Sequence, residues 1–374
     1  MDLTIISTYR CDSKCQMCYI WQNPTDPKEE ITLDTLSKLP SGFDNVNVSG
    51  GEPTLRKDLM EIIDILYPKG RIIEISSNGL HYEKIIPIVK KYPNIKVRFS
   101  LEGDETTNNN IRGEKDGYNI KIEGLMKLKE AGGNDIGFAF VIQDENAEQL
   151  VKVYELTKKL GVELSTSTLH NAWQFHKNDN YFYKRKEVAK NVEGLITEML
   201  KTNSIKNWFR AYLNLGLIKK ILGQNRLIKC TAGEDFMFID PWSDVYACNV
   251  RKDLLIGNLE MQSWQELINS DVAKLKLIEV AKCKQNCWMV TTARTAMRSN
   301  IIHSLPKTSP LMWVLKNKIK VTLGKGICFD DYINYAEIKP SPIVKRSSFL
   351  DITFKKKLQK KNEAHYIQGE FINE

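Results

Sequence analysis

Short β-rich runs alternate with amphipathic stretches through the first half of the chain. "LTIIST" (3–8), "NVNVS" (45–49), "RIIEIS" (71–76), "IKVRFS" (95–100), "IGFAFVI" (136–142) and "ELSTSTL" (163–169) read as strands. Between them lie "TLDTLSKL", "KDLMEIIDILY", "YEKIIPIVKKY", "NIKIEGLMKLKEA" and "ENAEQLVKVYELTKKL". In the last, Leu150, Val153, Leu156 and Leu160 recur close to helical spacing. Strand–helix alternation predicts βαβ units and a parallel sheet. Right-handed crossovers make it an open wound sheet or a barrel. The unusual residues all follow strands: a cysteine loop after the first, "GGEPT" after the second, "SNG" after the third, "LEG" after the fourth, His170 and Asn171 after the sixth. Parallel α/β folds build their sites at the carboxyl ends of strands. These clusters therefore predict one rim, and a partial barrel with a mouth fits them best.

The remaining chain divides by pattern. Residues 171–229 are helical and polar-aromatic, a bridge in which Trp173, Phe175, His176 and Tyr181 read as an aromatic packing cluster with substrate contact as the alternative. Residues 230–300 contain an alternating "FMFI", a turn at "DPWSD" and a returning "VYAC", which predict a β-hairpin. Residues 301–374 form a basic extension, with thirteen Lys/Arg against seven Asp/Glu. Within it "SPLMWVLKNKIKVTLGK" (309–325) reads as a docking helix or as a peripheral contact with an anionic membrane surface. "FKKKLQKKNEAH" (354–365) reads as a solvated end.

At 374 residues, 42% hydrophobic and 27% charged, the composition is that of a soluble globular protein. No apolar run approaches a membrane span, and "MDLTIISTYRCD" lacks a secretory pattern. The expected compartment is the cytoplasm, where grouped cysteines mean metal or catalysis rather than disulfides. The net charge of +8 sits mostly in the tail, which argues for an anionic surface more than for a nucleic-acid partner.

Cys11, Cys15 and Cys18 place three thiols in one loop at C-x3-C-x2-C spacing, with no fourth Cys or His nearby. A structural zinc site wants four ligands. Such a loop can wrap one corner of a cuboidal iron–sulfur cluster, holding three irons and leaving one without a protein ligand, and a zinc loop completed by a distant residue is the alternative. Cys230, Cys248, Cys283 and Cys287 form a second set, in which the hairpin brings the first two together. Four thiolates without histidine suit a structural zinc or a fully ligated [4Fe-4S] cluster, and spacing leaves both open.

With these residues in view, the chain resembles the radical S-adenosylmethionine (SAM) superfamily, whose C-x3-C-x2-C signature follows the first strand of a partial (β/α)6 barrel. The resemblance implies an α/β fold: a TIM-like partial barrel over 1–170, then a small hairpin-plus-helix domain over 230–300. It implies a [4Fe-4S] cluster on Cys11, Cys15 and Cys18 whose free iron binds SAM. Reductive cleavage then gives a 5′-deoxyadenosyl radical that takes a hydrogen atom from a substrate C–H bond. "SGGEP" matches the element that binds the methionine amino group, assigning Gly50, Gly51, Glu52 and Pro53. "SSNG" resembles the ribose-contacting element, assigning Ser77 and Asn78. "SLEG…IRG" resembles a segment that assigns Ser100 and Arg112 to the methionine carboxylate and Glu102 to ribose. The backbone of Met17 would meet adenine.

The second cysteine set resembles the Twitch and SPASM domains that follow many such barrels, and "IGNL" then "SWQEL" resembles their next segment. SPASM domains carry seven cysteines for two clusters; four here imply one auxiliary [4Fe-4S] cluster on Cys230, Cys248, Cys283 and Cys287. Sulfatase maturases have a basic aspartate after the second cysteine, where this chain has Asn249. An amide cannot take that proton, so the maturase reaction does not transfer. Asp235, Glu234 and Asp240 are substitute candidates, and Cys328 is a candidate hydrogen-atom donor, though a small buried hydrophobe is the plainer reading.

The expected function is oxidation, epimerisation or a related change of a small molecule, sugars or cyclitols ahead of peptides. A flavodoxin- or ferredoxin-like donor would supply electrons. No peptide-recognition segment precedes the barrel in this sequence, which favours the small molecule. Maturation of a peptide or protein is the alternative. From another class, a zinc-stabilised nucleic-acid-binding protein would hold zinc and show no SAM affinity.

Overall fold

In the computed structural model, which describes residues 1–301 and 309–339, nine strands among the described residues form one sheet. They are β1 (Asp2–Ile6), β2 (Asn45–Ser49), β3 (Ile73–Ser77), β4 (Lys96–Ser100), β5 (Asp135–Ile142), β6 (Glu163–Thr168), β7 (Phe236–Ile239), β8 (Asp244–Tyr246) and β9 (Leu255–Asn258). The order across the sheet is β6-β5-β4-β3-β2-β1-β7-β8-β9. The first six are parallel and sequential, as right-handed βαβ crossovers require. The sheet stays open, so this is a partial barrel. All six predicted strands are present, with ends shifted by at most two residues.

The second half joins the same sheet. β7 runs parallel to β1, pairing Leu3 with Met237 and Ile5 with Ile239, and β8 and β9 follow antiparallel. The hairpin predicted from "FMFI" and "VYAC" is therefore an extension of the barrel wall. β1, paired on both edges, is buried at all five positions. A strand covered on every side must read as a near-continuous apolar run, and "DLTII" does. Its first residue is the exception. Asp2 is buried, and Arg294 and Arg298 from the helix Val290–Ser299 meet its carboxylate at 2.7 and 3.2 Å.

Helices cover the sheet with the expected periodicity. Leu59–Leu66 buries Leu59, Ile62, Ile63 and Leu66, one stripe of a 3.6-residue repeat. The bridge is a long helical pair, Arg185–Lys201 and Ile205–Ile221, packed beside β6; Thr166 on that strand bonds Asn214 at 2.9 Å. The helix Pro310–Thr322 docks through Pro310, Trp313, Val314 and Asn317, with Trp313 edge-on to Tyr212. Its opposite face, Met312, Leu315 and Ile319, is exposed. The stretch at 354–365 lies outside the described residues. No helix among the described residues is long and apolar enough to cross a membrane.

Within the barrel half, one helix escaped the periodicity reading. Glu105–Arg112, "ETTNNNIR", is too polar to show an apolar stripe. Its caps give it away instead: the Asp104 side chain accepts from Thr107 N, and Gly113 takes a left-handed φ of 61°. Gly113 also abuts the Lys14 carbonyl, where a Cβ would approach to 2.9 Å.

Candidate active site

The loop carrying Cys11, Cys15 and Cys18 leaves the carboxyl end of β1 and is held from every side. Arg10 meets Glu30 through two bonds of 2.9 and 2.8 Å, fixing the stem. Gly51 N donates to Thr8 O at 2.6 Å and Glu52 N to Arg10 O at 2.8 Å, so "GGEP" lies directly on the backbone of residues 8–10. A Cβ on Gly51 would come within 2.3 Å of the Arg10 carbonyl oxygen. The glycines are therefore required by contact between two chain segments. Further along, Lys14 N and Gln16 N donate to Arg112 O and Ile111 O, each at 2.9 Å, tying the loop to the end of the polar helix.

The rim residues singled out in the sequence converge here. The fully buried Glu52 carboxylate accepts from Thr54 N, Thr54 Oγ1, Ser77 Oγ and Asn78 N, at 2.5 to 2.9 Å. Its side chain thus clasps the ends of β2 and β3, and burial pushes its pKa up. Asn78 reaches back to the cysteine loop, donating to Asp12 Oδ1 at 2.6 Å and Ser13 Oγ at 3.0 Å. Arg112 bridges Glu102 and Glu114, each at 3.1 Å, and Lys121 pairs with the far oxygen of Glu114. Glu102 also accepts from Val141 N at 2.7 Å. Ser100 ends β4, half-buried, and Pro53 opens a 3-10 turn. The Met17 carbonyl accepts from Asn180 Nδ2 at 3.0 Å.

Sequence reasoning missed Asp12, Ser13, Glu114 and Lys121. Glu114 directly follows "IRG", and that adjacency was the available signal. Lys121 carried none, because a lysine on an amphipathic helix reads as solvated, whereas this one is fully buried.

The four later cysteines also come together. Cys230, Cys248, Cys283 and Cys287 line one cleft of about 350 Å³, counted with its open mouth, beside Arg251, Val250 and Gln285. Arg226 Nη1 donates to Cys287 Sγ at 3.8 Å and Val250 N to Cys248 Sγ at 3.3 Å. Among the described residues no three Cys, His, Asp or Glu groups close to the spacing of a single-ion site. Burial raises the thiols of Cys11, Cys15, Cys18, Cys230 and Cys248, those of Cys18 and Cys248 up to about 12. Such thiols ionise only when a cation offsets the burial, and iron supplies one. The donor sets fit iron–sulfur clusters.

Other candidates fall elsewhere. Asp235 precedes β7, so it lies at the amino edge of the sheet, opposite the cysteine loop; Ser299 bonds its carboxylate and Asp2 N its carbonyl. Neighbouring Glu234 is exposed. Asp240 is on the correct edge, but Trp242 N and Asp244 N both donate to its Oδ1 at 3.0 Å, which makes it the hairpin's turn residue. Asn249 is buried with its side-chain oxygen unpartnered. Cys328, expected to be buried, is exposed, because its segment runs along the outside of the helical pair, where Gln224 Nε2 donates to Asn334 O and Glu337 O. The bridge aromatics pack among themselves and against the hairpin: Trp173 on Tyr246 at 4.9 Å, Phe175 on His170 at 4.8 Å and Tyr181 on Tyr183 at 4.5 Å. His176 lies edge-on to Tyr9 at 5.7 Å.

Comparison with known proteins bears on both halves. Residues 5–157 match the model of the radical SAM superfamily, and residues 230–288 match that of the SPASM iron–sulfur cluster-binding domain. The chain is 26% identical over 273 residues to the mycofactocin maturase MftC of Mycolicibacterium smegmatis, covering 69% of this chain and 67% of that one. It is 32% identical over 178 residues to a probable GTP 3′,8-cyclase of Saccharolobus islandicus, covering 45% of this chain and only 57% of the cyclase. The solved structure of anSMEcpe with bound AdoMet and a peptide superposes with a TM-score of 0.59 at 16% identity, covering 86% of this chain and 96% of that one. At that identity the likeness is one of fold.

Proposed function

We propose, on the premise that this chain carries a radical SAM domain followed by a SPASM iron–sulfur domain, that it is a peptide maturase. The observation that carries the two-cluster part of this reading is the joining of two thiol sets by one sheet. Cys11, Cys15 and Cys18 leave β1, while Cys230 and Cys248 flank the hairpin whose first strand is bonded to β1. The maturase relative, aligned over 69% of the chain, supports a maturation reaction. A solved protein of this fold holds AdoMet and a peptide together. The maturase relative and the peptide-bound structure favour this alternative over the sugar or cyclitol expected from the sequence.

When bound, SAM and the first cluster supply a 5′-deoxyadenosyl radical that removes a hydrogen atom from the substrate. The chain's residues hold and orient. Cys11, Cys15 and Cys18 ligate the first cluster. The Gly50–Pro53 backbone, set by Glu52, receives the methionine amino group. Ser77, Asn78 and Glu102 serve the ribose, Ser100 and Arg112 the carboxylate, and the Met17 backbone the adenine. Arg112 already meets two buried carboxylates, which hold its guanidinium in place and keep it charged. Asn249 provides no base, so the proposed reaction differs from sulfatase maturation. A small one-electron carrier protein of the flavodoxin or ferredoxin class supplies the reductant.

The test is anaerobic reconstitution. About eight irons per chain are expected if both sites hold four-iron clusters. Dithionite and SAM should then yield 5′-deoxyadenosine. A deuterated peptide encoded beside the gene should pass deuterium into that product. Uptake from sugar nucleotides and none from peptide would overturn the peptide reading.

A further inference from the structure

The two thiol sets stand in different charge environments. Three buried carboxylates surround the first loop: Glu52, Glu102 and Glu114, against Arg112 and Lys121. At the four-thiol cleft Arg226 is the cation set directly against a thiol. Arg226 donates to Cys287 Sγ at 3.8 Å, to Ile228 O at 3.1 Å and to Thr292 O at 3.5 Å; none of these bonds goes to a carboxylate. Arg251, which also lines the cleft, is paired with Asp253 and with Glu279.

Arg226 is held in place by Trp288, the residue after Cys287. Its guanidinium lies 5.0 Å from the centre of that ring. Trp288 is 1% exposed and donates from Nε1 to Leu213 O at 2.8 Å. Gly216 makes the space, since a Cβ there would fall 1.9 Å from the indole. A permanent charge is thus fixed against a ligand sulfur in a partly buried cleft. Adding one electron to a thiolate-ligated cluster increases its negative charge. A fixed cation stabilises the reduced form more than the oxidised form, strongly so where water is scarce.

We infer that Arg226 is a positioning residue that raises the reduction potential of a cluster held by Cys230, Cys248, Cys283 and Cys287. The inference rests on the functional reading in that these thiols hold a cluster, and it deepens that reading by making this site one that accepts an electron. The reduction is a simple one-electron gain from an external one-electron donor, with no proton and no bond change.

The experiment uses the full chain with Cys11→Ala, Cys15→Ala and Cys18→Ala together, reconstituted anaerobically so that only the second site loads. About four irons per chain are expected. Dithionite titration is followed by EPR and visible absorbance. In Arg226→Gln the reduced-to-oxidised ratio at a fixed poise should fall about tenfold, roughly 59 mV for one electron, and Arg226→Lys should restore most of it. An unchanged midpoint in Arg226→Gln overturns the inference. Should that variant shed iron, Arg226→Met, which keeps an apolar stem beside Trp288 and removes the charge, gives the same readout, and a midpoint there equal to the parent's also overturns it. A parent that binds no iron defeats the functional reading of the cleft, a result distinct from an unmoved potential.

Discussion

Gly51 illustrates how single residues build this site. Its missing side chain lets the second rim loop lie on the backbone of residues 8–10, with the Arg10 carbonyl 2.3 Å from where a Cβ would stand. Gly51→Ala must push the two segments apart. A stability loss of roughly 1–3 kcal/mol is expected in urea unfolding, together with reduced iron in the first site and weaker SAM binding. Cysteine replacements separate the two sites. Cys15→Ala should abolish 5′-deoxyadenosine formation, because the first cluster loses a ligand. Cys248→Ala should remove about half the iron and spare SAM cleavage without substrate; equal loss of cleavage in both variants would contradict the assignment. The cysteines and "GGEP" were legible because their chemistry is carried by residue type and spacing. The clasp of Glu52 on Ser77 and Asn78 was not, since those partners lie 25 and 26 residues away along the chain.

At the scale of elements, legibility followed burial. Strands buried on both faces showed as β-branched runs, and helices with one buried stripe showed their period. The helix Glu105–Arg112 touches the core through Asn108, Ile111 and Arg112 alone, so only its caps marked it. The helix Pro310–Thr322 shows the cost of reading one face. Its sequence allowed docking or a membrane contact, and Trp313, 2% exposed against Tyr212, establishes the docked face. Trp313→Ala should cost roughly 3–5 kcal/mol in stability. A change under 1 kcal/mol in equilibrium denaturation would mean the helix does not pack as described.

The whole molecule is tied together by charges that bridge elements. Asp135 on β5 pairs with Arg98 on β4 and with Lys206 on the helix Ile205–Ile221. Although burial opposes ionisation, these partners hold its pKa down from 3.8 to about 2. A depressed carboxylate stabilises the fold above its unfolded pKa, and that contribution is lost as pH falls from about 4 through about 2. Allowing for its partial exposure, the pair contributes on the order of 1–2 kcal/mol. Asp135→Asn should therefore flatten the acid limb of stability below pH 4 and lower stability at neutral pH. An acid limb identical to the parent's would show that other carboxylates carry it.

What the sequence determined by itself is the local chemistry and the class of fold: three thiols at a fixed spacing, four more without histidine, and strands alternating with helices. Those depend on residue identity and short-range periodicity, which are written along the chain. What only the tertiary structure decided is which residues meet. β7 could have built a separate domain, yet it bonds to β1 and makes the second cysteine set part of the barrel wall. That placement sends Asp235 to the far edge of the sheet and makes Asp240 the hairpin's turn residue. Arg226, unremarkable in the sequence, stands against Cys287 because Trp288 fills the space over Gly216. Charge and packing between residues 60 or more apart depend on three-dimensional position, and hydrophobic pattern carries no record of it.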